Sequence, residues 1–161
     1  MTDFHVEDTP PASLALEELG IPHRVFRHSG QVTSLEQAAH ERGQRPEQVV
    51  RSILFRLAED EHLLVLVAGP AQIPWKALRK FLGQSRLTLA SEAEVLAVTG
   101  YRIGTVSPFG LKNPLRILVE SGVLQEQQIS LGSGVPNTGI LMGSADLLKA
   151  LGEVEVVSLI E

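Results

Sequence analysis

Two glycine-bearing stretches and one arginine on an apolar run are the residues whose types and spacing could do chemistry. Residues 100–110 read Gly-Tyr-Arg-Ile-Gly-Thr-Val-Ser-Pro-Phe-Gly. Three glycines and a proline in eleven residues exclude a regular helix or a central strand. Glycine supplies positive φ, while proline fixes its own φ and lacks an N–H. Tyr101, Ile103, Val106 and Phe109 are bulky and apolar, so the loop should tuck against a core. Within it, Gly104 and Pro108 bracket a Gly-x-x-x-Pro unit enclosing Thr105 and Ser107. Such a loop can offer backbone N–H groups and small hydroxyls to a ligand. A tight helix-to-strand connection would have the same composition, since glycine and proline also punctuate ordinary turns. The second stretch, residues 132–139, reads Gly-Ser-Gly-Val-Pro-Asn-Thr-Gly. The arginine is Arg51.

Other catalytic constellations find no support. His23 and His28 lie an odd number apart on an expected strand and so point to opposite faces. His40 on a helix and His62 beside a turn read as surface residues. No His-Glu-x-x-His or comparable ligand spacing occurs, and no metal site is expected. Gly132-Ser133-Gly134 lacks the Gly-x-Ser-x-Gly of a nucleophile turn. Neither a phosphate-binding P-loop nor a dinucleotide fingerprint is present. Glu92 and Glu94 open a helix, where they meet its macrodipole favourably, and do not form a catalytic pair. With no cysteine in the chain, disulfides, thiolate metal sites and a thiol nucleophile are excluded together.

The 161 residues carry 43% hydrophobic and 20% charged side chains, as one globular domain would. That domain is taken as residues 1–161, with residues 1–10 a frayed start. Only 4% is aromatic, so the core must rest on Leu, Val, Ile and Ala. No run is long and apolar enough to cross a bilayer, and the start lacks a signal-peptide layout; a cytoplasmic protein with no membrane partner is expected. The net charge of −5 argues against a general nucleic-acid binder held by many phosphates. Thirteen of the fourteen Lys and Arg, but only eight of the nineteen acids, fall within residues 24–116. That segment carries +5 and its flanks −10. A local basic surface would suit a small anion or one nucleic-acid end; a solvated face of mixed charge accounts for the segment equally well.

The elements that must position these residues follow from periodicity and capping. Helices are expected over residues 12–19, from a Thr33-x-x-Glu36 capping box to Gly43, over 74–82, from a Ser91-x-x-Glu94 box to Gly100, and over 144–151. On the helix at 74–82, Trp75, Leu78 and Leu82 share a face opposite Lys76, Arg79 and Lys80. A helical turn is expected at 45–48. Strands are expected at 23–28, 49–58, 62–68, 86–89, 115–119, 128–131 and 154–160. Those at 49–58 and 62–68 form a hairpin whose second run is too apolar to be half exposed. Residues 132–139 read as irregular and lead into the apolar 140–142. The order is no regular βαβ alternation, so the class is α+β: a mixed sheet surrounded by short helices.

This order of features resembles the YbaK and prolyl-tRNA synthetase-associated editing domains over most of the chain, from about Leu14 to Leu151. The resemblance runs through Leu-Gly-Ile-Pro-His-Arg-Val-Phe-Arg-His at 19–28, Glu36-Gln37-Ala38-Ala39 and Pro46-Glu47-Gln48-Val49-Val50-Arg51-Ser52-Ile53-Leu54-Phe55. It is densest at Thr99 to Gly110 and ends in Ser144-Ala145-Asp146-Leu147-Leu148. It implies a largely antiparallel, curved, barrel-like sheet. It also implies a free-standing aminoacyl-tRNA deacylase that removes a small amino acid such as Cys or Ala, with tRNA(Pro) a candidate carrier. Catalysis would be substrate-assisted and need no cofactor. The partners implied are the aminoacylated acceptor end of tRNA and a prolyl-tRNA synthetase; the chain itself would be a monomer or weak homodimer. Residue by residue, Gly104 and Pro108 match the family's Gly-x-x-x-Pro loop, facing the ester. Arg51 stands where the family usually has a lysine, and a planar fork is no equivalent of a compact ammonium. The catalytic set implied is thus Arg51, Gly104 and Pro108. Ser52, Thr105, Ser107, Gly134, Asn137 and Thr138 are the candidate substrate contacts. The arginine for lysine also motivates an alternative, a non-catalytic aminoacyl-tRNA- or nucleotide-binding homologue of the same fold. A hydrolase for another small acyl ester is a third reading.

Overall fold

The computed structural model describes residues 9–58 and 60–160; of the expected frayed start, residues 1–8 lie outside the described residues. At the centre, β2 (Val50–Ala58) and β3 (Glu61–Ala68) form the antiparallel hairpin. Every side chain from Leu63 to Val67 is fully buried. A strand covered on both faces has to read as an unbroken apolar run, and this one does.

The hairpin belongs to a five-stranded mixed sheet with strand order β4 (Thr88–Leu89), β2, β3, β5 (Arg116–Glu120), β8 (Glu155–Val157). The β4, β2 and β3 pairings are antiparallel, whereas β5 and β8 join in parallel. A separate antiparallel sheet has the order β1 (Arg24–Arg27), β7 (Thr138–Gly143), β6 (Gln128–Gly132). The two sheets touch through a parallel bridge between Val49 and Ser130. The α+β class stands, but the expected barrel-like sheet does not close. The two-residue β4 covers only the Phe55–Arg56 end of the outer edge of β2, so ladder pairing stops instead of continuing around.

Alternation along β2 divides the core. Val50 and Leu54 join Leu64 and Leu66 against Ile129, Leu131, Ile140 and Met142 of the smaller sheet. Leu16 of α1 (Pro11–Glu18) and Leu147 of α5 (Ser144–Leu151) close that side. On the opposite face Phe55, Leu57, Val65 and Val67 pack with Leu78 of α3 (Trp75–Leu82) and with Ile73. The expected apolar face of α3 is only partly buried: Leu78 is at 0% exposure and Trp75 at 38%.

Caps hold the helices as read, with one shift. α4 (Glu92–Thr99) has the full Ser91–Glu94 box and stops at Gly100, whose φ of 82° favours glycine. α2 (Leu35–Glu41) is capped by Ser34, not Thr33: the Gln37 amide donates to Ser34 Oγ at 3.0 Å. Gln37 Oε1 accepts from the Thr33 amide and hydroxyl, one residue before the cap, so the cap has moved by one residue and the expected reciprocal box with Glu36 does not form. The expected strand 154–160 shrinks to three residues because the amides of Leu159 and Ile160 donate to buried Glu120 Oε2 at 3.0 and 3.1 Å. The irregular segment 132–139 is shorter than expected, since Gly139 pairs with Phe26 and Gly132 inside the smaller sheet. Among the described residues no helix is long and apolar enough to cross a membrane.

Two carboxylates tie helix starts and ends to neighbouring elements. Glu94 accepts from the Ser91 amide and from His62, 3.2 Å away, and both hold its pKa below the ordinary carboxylate value. His62 is thereby paired, not free at the surface. Glu41 is lowered by Gln37 and by His28. The folded state therefore prefers both charged forms more than the unfolded chain does, so acid must destabilise it. Stability should be flat at neutral pH and fall as pH drops through the ordinary carboxylate range. In Glu94→Gln the melting temperature should start lower and fall less steeply with acid; an unchanged acid slope would show that Glu94 is not one of the titrating groups.

Candidate functional site

A cleft of about 1090 Å³ opens between the two sheets. The open edge of β2 forms one wall, residues 102–106 another, and the β6–β7 turn with residues 31–35 of the approach to α2 complete it. The carbonyl of Leu54 accepts from Ala90 at 3.0 Å. Strand alternation then turns the N–H and C=O of Ser52 to the same edge, beyond the reach of β4. The Ser52 hydroxyl is the one buried side-chain polar atom among the described residues with no hydrogen-bond partner. An unmet polar group on a cleft wall is costly unless a ligand or water meets it.

The loop on the opposite wall is braced rather than free. Thr99 caps its start, donating from Oγ1 to Val95 O at 2.6 Å and accepting from the Tyr101 amide at 3.0 Å. The Tyr101 hydroxyl donates to Phe109 O, and burial raises its pKa to about 12. Gly104 has φ 87° with open space where a Cβ would be, so its glycine serves the backbone conformation. Thr105 N–H and Oγ1 both donate to Arg102 O. The Thr105 carbonyl accepts from Gly134 N at 2.9 Å. The amides of Gly104 and Val106, both on the cleft wall, donate to no acceptor among the described residues.

Six of the nine residues anticipated from sequence line this cleft: Arg51, Ser52, Gly104, Thr105, Asn137 and Thr138. Ser107, Pro108 and Gly134 do not. Ser107 is fully buried, its hydroxyl accepting from the Phe109 amide, and Pro108 is buried with it. Gly134 serves the brace to Thr105. Arg51 donates from Nε to Gly69 O at 2.8 Å and also bonds Ala71 O. Half its guanidinium is thus committed to the loop after β3, and burial lowers its pKa. Asn137, at φ 57°, accepts from Val32 N at 2.8 Å through Oδ1, leaving its amide nitrogen for a ligand. The Thr138 hydroxyl donates to Pro136 O.

Sequence reasoning missed Arg42, Arg102 and Trp75, which also line the cleft. Arg42 follows α2 as its C-cap and carries no motif; only the fold brings it across to β6. Its Nε donates to His28 Nε2 at 3.1 Å and its Nη1 to Ser130 Oγ at 2.8 Å. His28 is not on the strand; its fully buried ring donates from Nδ1 to Glu41 Oε1 at 2.6 Å. Burial lowers the pKa of Arg42, yet no carboxylate touches it directly. Among the described residues, Arg42, Arg51 and Arg102 line the cleft and no Asp or Glu does. Nor do three His, Cys, Asp or Glu gather anywhere among them as a metal site would require.

An unbroken run of the chain, residues 29–150, matches the family of the aminoacyl-tRNA editing domain. The chain belongs to that family. It is 34% identical over 91 residues to a proline–tRNA ligase of Brachyspira hyodysenteriae, matching 56% of this chain but 16% of the ligase. It is 24% identical over 147 residues to the multifunctional Ser/Thr-tRNA deacylase ProXp-y of Escherichia coli, covering 89% of this chain and 87% of the deacylase. A solved structure described as a candidate trans-editing enzyme for prolyl tRNA synthetase superposes with a TM-score of 0.85 at 27% identity, covering 94% of this chain and 95% of its own. The resemblance read from sequence is borne out.

Gly139 supplies a test of the Arg42 arrangement in this editing domain. A Cβ there would stand 2.5 Å from Arg42 Cζ and 2.6 Å from Nη2. Gly139→Ala must displace the guanidinium from His28 and Ser130, a loss of about 1–2 kcal/mol for two hydrogen bonds. In urea unfolding, Gly139→Ala should add nothing further once Arg42→Ala removes the clashing group. Additive losses would show that the two positions are independent.

Proposed function

We propose that this protein is a trans-editing deacylase, hydrolysing the ester that joins a misattached amino acid to the 3′ end of a tRNA. The observation that carries the reading is a cleft lined, among the described residues, by three arginines and no carboxylate in a chain of net charge −5. A local positive field of this kind suits one anionic nucleic-acid end and not a long duplex. In the reaction, water adds to the ester carbonyl carbon, the bond to the ribose oxygen breaks, and a free amino acid and ribose hydroxyl leave. The unmet amides of Gly104 and Val106 are suited to the developing oxyanion; donors of this kind contribute a few kcal/mol, roughly 3 each, to barrier reduction. Among the described residues the cleft offers no side-chain nucleophile paired with a base, so activation of water falls to the substrate itself, through its ribose hydroxyl or its own side chain. Cys or Ala on tRNA(Pro) is the first substrate to try. Ser and Thr, which the Escherichia coli relative's name gives as its substrates, come next. A prolyl-tRNA synthetase is the natural protein partner, since its product is the species to be corrected. Arg51 in place of lysine favours a second reading, a homologue that binds without turnover.

Purified protein should release amino acid from at least one member of a panel of misacylated tRNAs. Binding without release from any of them would favour the second reading. Within an active system, Arg51→Ala should lower kcat/KM about ten-fold or more, the loss of charge-assisted bonds, and Arg51→Lys should lower it less. Equal activity in both would remove Arg51 from the site.

A further inference from the structure

Trp75, the only tryptophan in the chain, breaks the pattern of its own helix. Its neighbours on the apolar face go into the core, Leu78 completely, while Trp75 stays 38% exposed and lines the cleft. The indole is held edge-to-face by Phe55, centroids 5.2 Å apart and planes at 82°, so its orientation is fixed before anything binds. Leu89 and Ile103, each 54% exposed, line the same cleft. Large exposed apolar groups inside a positively lined cleft need an occupant with both a flat apolar face and negative charge.

The charge around Trp75 points the same way. Residues 62–91 contain no Asp or Glu but carry Lys76, Arg79, Lys80 and Arg86. None of the four makes an ion pair among the described residues. Three of these cations lie on α3 itself, and they flank Trp75 instead of lying opposite it as the pattern suggested: Arg79, four residues on, stands one turn beyond it on the same side, with Lys76 and Lys80 next round the helix. An aromatic platform followed by unpaired cations is the arrangement that takes an unstacked base and the phosphates behind it. An amino-acid side chain would use the apolar surface but not the cations.

We infer that Trp75 is the stacking platform for the 3′-terminal adenine of the bound RNA, with the basic face of α3 following the adjoining phosphates. The inference rests on the deacylase reading for the identity of the RNA, but not on turnover. It can therefore be tested with uncharged RNA. An acceptor minihelix ending in CCA should quench the single tryptophan's fluorescence, and the same minihelix ending in CC should quench it much less. By calorimetry, Trp75→Leu, which keeps apolar packing on Phe55, should bind the CCA minihelix roughly ten-fold more weakly. Trp75→Phe should recover most of that loss, and neither variant should change affinity for the CC form. Lys76→Gln with Lys80→Gln should weaken both forms alike and flatten the salt dependence. Equal losses on CCA and CC ends, or no RNA binding at all, would overturn the inference. So would Trp75 variants that leave RNA affinity intact while reordering preference among amino acids, because the indole would then read the acyl group. If no misacylated tRNA is hydrolysed yet the CCA-specific loss is seen, the platform stands and the deacylase reading falls; hydrolysis without that loss removes the platform alone.

Discussion

No side chain fits where the loop at 104–106 meets the end of β6, and the cleft depends on that contact. A Cβ on Gly132 would lie 2.2 Å from the Val106 carbonyl oxygen and 3.0 Å from that of Thr105. Two residues on, the Gly134 amide donates to the Thr105 carbonyl. Backbone therefore meets backbone at a distance only glycine permits. Backbone pairing otherwise links the two sheets only by a single-residue bridge at Val49 and Ser130, and the rest of their contact is apolar packing such as Val50 and Leu54 against Ile129 and Leu131. The loop brace sets the width between the Ser52 edge and the unmet amides of Gly104 and Val106. It also explains the irregular composition of residues 132–139, which has to approach one neighbour closely before re-entering the sheet at Thr138.

Charge is sorted by position rather than by sum. The arginines that meet carboxylates do so elsewhere: Arg56 with Glu94, Arg45 with Glu126, Arg116 with Glu155. Among the described residues, two of the cleft arginines have only neutral partners, namely a histidine and a serine for Arg42 and two carbonyls for Arg51. A guanidinium taken partly out of water without a contacting carboxylate bears a desolvation cost that an anionic ligand can offset. Neutral partners fix its direction without cancelling its charge. This is how a chain of net charge −5 presents a positive cleft, and why salt-bridge bookkeeping on the surface says little about the site.

Local signals were legible in the sequence and non-local ones were not. The Ser91–Glu94 box, the stop at Gly100 and the apolar run of β3 each follow from neighbours within a few residues, and each stands. The glycine loop was located too, because glycine and proline announce themselves. What escaped depends on residues far apart in the chain. Arg42 meets Ser130 across 88 positions and His28 across 14, and no spacing rule anticipates either. Pro108 was placed in the site with Gly104 through the family's Gly-x-x-x-Pro loop, and Ser107 as a hydroxyl enclosed by it, but a braced loop has an inner and an outer side, and both are buried off the cleft wall. Trp75 was read as core because helical periodicity counts an indole with the leucines; its exposure comes from the open edge beside it.

That open edge is the structural choice from which the site follows. Had β4 run five residues like β5, it would have paired along β2 to about Ser52 and filled the cleft with its own side chains. At two residues it satisfies Leu54 through Ala90 and stops. The free stretch of β2 then carries a backbone donor and acceptor at Ser52, an unmet hydroxyl on the same residue, and Arg51 beside it, tethered to the loop after β3. An exposed strand edge ordinarily invites aggregation, but here the walls at 102–106 and 31–35 enclose it, so a whole strand meets obstruction where a small extended ligand does not. The cleft is the place where the fold leaves its own hydrogen bonding unfinished, between arginines that still hold their charge.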